Sequence, residues 1–156
     1  MAADQLYKVA YDEAVRALAE QQEVIDSFRT RAGLLFSAAA VTTSFLGAQA
    51  LRGDGLNLAS WSALLCFVAV AAASLAILWP RKWEVTANAR DVIDTYVESA
   101  EPAPAEHLHR DLSLHMHNSY LENREGLERL VLYLQVASGL LTVEVVLWIV
   151  AIAMRP

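Results

Sequence analysis

Long uncharged stretches constrain this chain more than any other feature. Residues 32–51 and 56–80 contain no charged residue, and residues 130–154 contain only Glu144. A helix rises about 1.5 Å per residue, so about 20 apolar residues cross the hydrocarbon core of a bilayer. Each stretch is long enough, and the whole chain is 56% hydrophobic and 19% charged. The sequence therefore predicts an all-α integral membrane protein with three transmembrane helices over these ranges.

The polar remainder of the chain falls into two segments, residues 4–31 and 83–129. We expect a single membrane domain over residues 1–156, in which both polar segments are helical and lie on the cytoplasmic side. The first apolar stretch follows an acidic, amphipathic segment and not a short basic one, so we do not interpret it as a signal peptide.

The distribution of basic residues predicts an orientation. Of the 12 Lys and Arg residues, only Arg52 and Arg155 fall on the side where the chain ends. The positive-inside rule then places the N-terminus in the cytoplasm and the C-terminus outside the plasma (inner) membrane. Trp61 and Trp79 lie near the ends of the second span, where indole rings favour lipid headgroups. Trp148 fits either a headgroup position or a packing position.

A heptad-like pattern runs through the first polar segment into the first span. Its members are Tyr7, Tyr11, Ala14, Leu18, Gln21, Ile25, Phe28, Ala32 and Leu35. A second such pattern joins the later polar segment to the third span. Its members are Tyr120, Arg124, Leu127, Val131, Leu134, Ser138, Leu141, Val145 and Trp148. We therefore predict two long helices that pack side by side as a cytoplasmic, coiled-coil-like stalk.

Further details of the stalk follow from single residues. Pro80 should end the second span, because proline cannot continue a helix. A short helix is predicted over residues 88–99, packed against the stalk. Gln21, Arg124 and His115 lie on or near the two patterns and would act as polar groups that fix the register of the two helices.

Glu144 is the strongest candidate for a functional residue, because an ionised carboxylate in mid-membrane costs at least about 2.5–3.5 kcal/mol. At a similar depth the other spans offer Thr43, Ser44 and Cys66, which could hydrogen-bond to it. Glu144 could line a pore, act as a gate or carry a proton. Alternatively, it could be a protonated side chain that holds helices together.

Basic residues cluster at the predicted inner membrane boundary. They could contact anionic lipid headgroups, or they could form a small anion or nucleotide site, although no glycine-rich phosphate loop accompanies them. The cluster comprises Arg29, Arg31, Arg81, Lys82, Arg124 and Arg129.

Other classes of function find little support in the sequence. The spacing of His107, Asp111 and His115 is compatible with metal binding, but no fourth ligand lies nearby and a solvated helix face fits better. No metal or other cofactor is therefore predicted. The net charge of −6 argues against a nucleic-acid partner. The chain contains no hydrolase, nucleotide-binding or metalloprotease motif, so an enzyme is not expected.

Three stretches resemble the Pycsar transmembrane effector family and, more loosely, the SLATT-type membrane effectors of bacterial immunity. They are IDSFRTRAGLLFSAAAVTTSFLG, LAILWPRKW and LHMHNSYLENREGLERLVLYLQVASGLL. The resemblance implies a homo-oligomer in antiviral defence. Such a protein would respond to a cyclic nucleotide or to an upstream protein partner by compromising the inner membrane.

We therefore expect an oligomeric membrane protein of effector or channel type, with the stalk as sensor and the spans as output. The alternative is a non-conducting scaffold or accessory subunit that docks a partner protein through its N-terminal helix.

Overall fold

Three long helices make up most of the described part of the chain. A computed structural model of the protein describes residues 3–50, 52, 57–80, 93–94, 96 and 104–154. The helices are α1 (Ala3–Ala50), α2 (Leu58–Leu78) and α3 (Ala105–Ala153), and no strand occurs within the described ranges. All three are long and apolar enough to cross a membrane. The prediction of an all-α chain with three candidate spans is confirmed.

The ends of α2 have clear local causes. Asn57 caps its N-terminus, because the Asn57 side chain accepts a hydrogen bond of 2.9 Å from the backbone N–H of Ser60. At the other end, the helix stops at Leu78, and Trp79 leaves the helical conformation. The residue before a proline disfavours helical geometry. Pro80 therefore ends α2 as predicted, whereas the helix predicted over residues 88–99 lies outside the described residues except at 93, 94 and 96.

The chain divides into two compact units. We call the first, residues 1–25 and 81–127, the polar unit, and the second, residues 26–80 and 128–156, the apolar unit. The first parts of α1 and α3 belong to the polar unit and their remainders to the apolar unit, which also contains all of α2.

In the polar unit, α1 and α3 run parallel. The rings of Tyr11 and His109 lie 5.9 Å apart, and further along both helices the Gln21 amide donates a hydrogen bond of 3.3 Å to the carbonyl of Tyr120. Leu18 and Ile25 are buried beside Gln21. The predicted pattern on α1 is thus confirmed at Leu18, Gln21 and Ile25, whereas its first member, Tyr7, is exposed. Gln21 is a buried polar group between the two helices.

In the apolar unit, α1 and α3 also run parallel, and α2 runs antiparallel to both. Thr43 contacts Glu144, and four residues further along each helix Gly47 meets Trp148. The start of α2 reaches the end of α3, where the Asn57 amide donates a hydrogen bond of 3.2 Å to the Ala151 carbonyl. A cluster of buried side chains closes this end of the unit. Its members are Ala50, Ala63, Trp148 and Ala151.

The predicted pattern on α3 is wrong by about one residue. Arg124 and Ser138 are exposed and Val131 is only half-buried, as is Leu134. The buried positions are instead Ser119, Asn123, Leu130, Ala137, Glu144, Trp148 and Ala151. Trp148 is buried as the pattern predicted, but the buried set also includes the small side chains of Ser119, Ala137 and Ala151. Small side chains let two backbones approach closely.

The polar residues of α3 that are buried also differ from those expected to fix the register of α1 and α3. Arg124 and His115 are both exposed, so neither is a buried polar group between α1 and α3. Ser119 and Asn123 are the buried polar residues of α3 in the polar unit.

Candidate functional site

Glu144 lies completely buried in the apolar unit, between α1 and α3. Thr43 Oγ1 donates a hydrogen bond of 2.5 Å to Glu144 Oε1. Of the three side chains that the sequence offered as partners, Thr43 makes this bond. Ser44 is exposed, and Cys66 is a free, half-buried cysteine on α2.

Trp148 closes the same site one helical turn further along α3. Its side chain is 1% exposed and packs against Gly47 of α1. A Cβ atom at position 47 would lie 3.3 Å from Cη2 of the indole, which is tighter than ordinary van der Waals contact. Gly47 therefore leaves the space that the indole fills. The sequence left two positions open for Trp148, and the structure places it in the packing position.

The site contains polar atoms that the surrounding protein does not satisfy. Within the described residues, Glu144 Oε2 and Trp148 Nε1 are buried here without a hydrogen-bond partner, as is Ser74 Oγ elsewhere on α2. Leaving such a group unpaired costs about 1–3 kcal/mol. A carboxyl group with one protein partner can take up or release a proton, bind a cation or hold two helices together. Each of the first two roles requires a path from water, and the carboxyl group is enclosed in this conformation.

The basic residues of the predicted boundary cluster have different surroundings. In the apolar unit, Arg29 forms a 3.2 Å ion pair with Asp26, and Arg129 is exposed. Arg124 belongs to the polar unit. Arg81 and Lys82 lie outside the described residues.

Arg31 lies at an apolar groove that the sequence did not predict. The groove is formed by α1 and α3 within the apolar unit and has a volume of about 470 Å³. The remaining lining consists of aliphatic side chains and one hydroxyl group. The lining residues are Arg31, Leu34, Leu35, Ala38, Leu134 and Ser138. The small side chain of Ala38 is the one feature of the sequence that points to a groove. It leaves a groove only if Leu134 and Ser138 of α3 lie opposite, which the sequence does not show.

Several small or polar residues of α3 lie on the surface of the apolar unit. Gln135, Ser138, Gly139 and Thr142 are all exposed. The Ser138 and Thr142 hydroxyls donate to backbone carbonyls of their own helix, over 2.8 and 3.1 Å. The Gln135 amide has no such partner among the described residues, although it lies in a helix segment apolar enough to cross a membrane.

The histidine-rich start of α3 carries a different contact. The Tyr96 hydroxyl donates a hydrogen bond of 2.6 Å to Asp111 Oδ2. This bond to the carboxylate raises the pKa of Tyr96 above its usual value, because it holds the phenolic proton in place. Among the described residues, no group of three or more His, Cys, Asp or Glu side chains is arranged to hold a metal ion.

Comparisons with protein-family models, with curated proteins and with solved structures found no match to this chain.

Proposed function

We propose that this protein is a small oligomeric bacterial membrane protein of effector or channel type, which perturbs membrane integrity in response to a cytoplasmic signal. The observation that carries the proposal is the buried Glu144–Thr43 contact between α1 and α3. A signal that changes the packing of these two helices would separate the contact and open the carboxylate to a water-filled path. The described conformation is then the closed one.

The surface of the apolar unit supports an oligomer. In the most apolar 18-residue window of α1, α2 and α3, only 17%, 22% and 22% of the residues are buried. Large apolar side chains on this surface suit lipid, but an amide such as that of Gln135 needs hydrogen-bond partners in hydrocarbon. A second copy or a water-filled lumen would supply them. Gly139 and Ser44, which are also exposed, would allow close approach of a neighbouring helix.

The finer parts of the proposal come from the sequence. The protein would sit in the inner membrane with its N-terminus in the cytoplasm, because ten of its 12 basic residues then lie inside. The resemblance to Pycsar and SLATT-type effectors suggests a cyclic nucleotide or an upstream protein as the trigger, in antiviral defence. Arg124, in the polar unit, is one basic residue that such a ligand could contact.

The test measures membrane potential in cells that express the protein under an inducible promoter. Wild-type protein should depolarise the membrane, at least when triggered, and halt growth. Glu144→Leu should express and assemble normally but should no longer depolarise the membrane, because no carboxylate remains to line a water-filled path. Ser44→Ala, a change at an exposed neighbour of Thr43, should behave like wild type. Depolarisation by Glu144→Leu at the wild-type level would remove Glu144 from the mechanism.

A second candidate is a non-conducting scaffold that docks a partner protein. The start of α1 favours it, because Leu6 and Val9 are 57% and 65% exposed and Tyr7 is also accessible. Changing Leu6 and Val9 to serine should abolish partner capture if this surface docks a protein. Membrane potential separates the two candidates, since overexpressed scaffold should be neither toxic nor depolarising.

A further inference from the structure

The groove on the apolar unit begins at a charge and continues over aliphatic side chains. Arg31 immediately precedes the uncharged stretch of α1, and Ala38 lies about 10 Å further along the helix axis. Leu34 and Leu134 line the groove between these levels. The Ser138 hydroxyl adds little polarity, because it already donates to the carbonyl of Leu134.

Within the part of the chain that the structure describes, the guanidinium of Arg31 has no counter-charge. Among the described residues no carboxylate lies within 4.0 Å of it, and the side chain is exposed. Arg29, two residues earlier, is engaged by Asp26. Two arginines at the same end of the apolar stretch therefore differ in whether they are available to an external anion.

We propose that this groove binds one molecule of an anionic phospholipid. The headgroup phosphate would pair with Arg31, and an acyl chain would lie along Leu34, Ala38 and Leu134. A guanidinium forms charge-assisted hydrogen bonds with phosphate oxygens. The volume of about 470 Å³ lies in the range of small-molecule binding sites.

The two halves of the groove together favour a lipid over other occupants. A free anion would use Arg31 but would gain nothing from the aliphatic walls. An apolar helix of a second copy would fill the walls but would leave the arginine without a counter-charge. The proposal does not depend on whether the protein conducts ions.

The test is native mass spectrometry of the full chain in detergent, with phosphatidylglycerol and phosphatidylcholine of identical acyl chains. Wild-type protein should retain one phosphatidylglycerol in preference to phosphatidylcholine. Arg31→Gln should reduce this preference about fivefold, the contribution of one basic side chain at an anionic membrane surface. Arg29→Gln is the matched control and should keep the preference, because Asp26 already neutralises that side chain.

A groove-filling variant separates the lipid from the other occupants. Ala38→Phe should lower retention of both lipids while α-helical content stays unchanged. Equal loss of preference in the Arg31 and Arg29 variants would indicate a diffuse basic surface and would overturn the proposal. The lipid would also be excluded if inorganic phosphate bound equally well to wild type and Ala38→Phe. The proposal would also be wrong if the wild-type protein were an oligomer that retains no lipid and that Ala38→Phe dissociates. In that case a second copy of the chain would occupy the groove.

Discussion

The polar and apolar units join the same two helices by different means. In the polar unit, α1 contributes the large side chains of Leu18 and Ile25, and Gln21 bonds to a backbone carbonyl. In the apolar unit, buried positions of α1 and α3 include alanines such as Ala39 and Ala137, and the hydrogen bond joins the side chains of Thr43 and Glu144.

The difference follows from the solvent that each unit is suited to. In water, burial of large apolar side chains drives helices together. Lipid removes that driving force, so close packing of small residues and interhelical hydrogen bonds take its place. Alanines and a side-chain hydrogen bond at the contact are what the proposed lipid environment of the apolar unit would favour.

The largest effect is expected when a small residue is enlarged in the contact between α1 and α3 of the apolar unit. Gly47→Leu should lower the free energy of unfolding by about 1–3 kcal/mol, because the new side chain collides with the buried indole of Trp148. The measurement is unfolding in mixed detergent micelles followed by circular dichroism. Gly33→Leu, on the same helix, is the control, since nothing lies within 4 Å of a Cβ at that position. Equal stability of Gly47→Leu and wild type would mean that close approach is not needed there.

A second test compares two hydrogen bonds between α1 and α3, one in each unit. Thr43→Val removes the donor to Glu144 and leaves the buried carboxyl group without its protein partner, at a cost of about 1–3 kcal/mol. Gln21→Leu should be close to neutral, within about 0.5–1.5 kcal/mol, because the Tyr120 carbonyl can remain bonded within its own helix and an apolar residue fits beside Leu18. The same unfolding assay applies. A larger loss for Gln21→Leu than for Thr43→Val would reverse the interpretation of the two contacts.

The sequence was sufficient for the three helices and for the buried face of α1. On α1, large apolar residues such as Leu18 and Ile25 mark the contact clearly. On α3, Leu130 and Val131 are adjacent and both apolar, so their chemistry does not decide which one faces α1. Ser119 and Asn123 are polar, so a pattern of apolar residues does not select them, although the protein buries them.

For the candidate site, the sequence identified Glu144 because it is the only charge in its apolar stretch. Whether Thr43 or Ser44 bonds to Glu144 depends on which side of α1 faces α3. The sequence does not reveal that side, because this part of α1 is apolar all round. The contact of Trp148 with Gly47 and the groove beside Arg31 depend on the register between segments about 100 residues apart. Neither follows from local spacing.

The smallest predicted effect concerns the polar unit alone and is a dependence on pH. The folded-state pKa of Tyr96 is raised above the usual 10.0, so the stabilisation from its bond to Asp111 is present below about pH 10. That stabilisation is lost as the pH rises through the raised pKa and the phenol ionises. Ultraviolet titration of phenolate should show one late-titrating tyrosine that is absent in Tyr96→Phe. In Asp111→Asn the same tyrosine should titrate earlier, and an unchanged titration would contradict the contact.

The parallel pairing of α1 and α3 has a consequence for biosynthesis. Thr43 and Glu144 are 101 residues apart, and Gln21 and Tyr120 are 99 apart. At a translation rate of about 5–20 residues per second, α1 waits about 5–20 s for its partner helix. During that interval α2 is the other apolar helix that has been made, and the hydroxyl group of Thr43 has no carboxyl group to meet. The site is therefore complete only when α3 has left the ribosome. A chain arrested before α3 would expose the face of α1 that contacts α3, and quality-control proteins could recognise it.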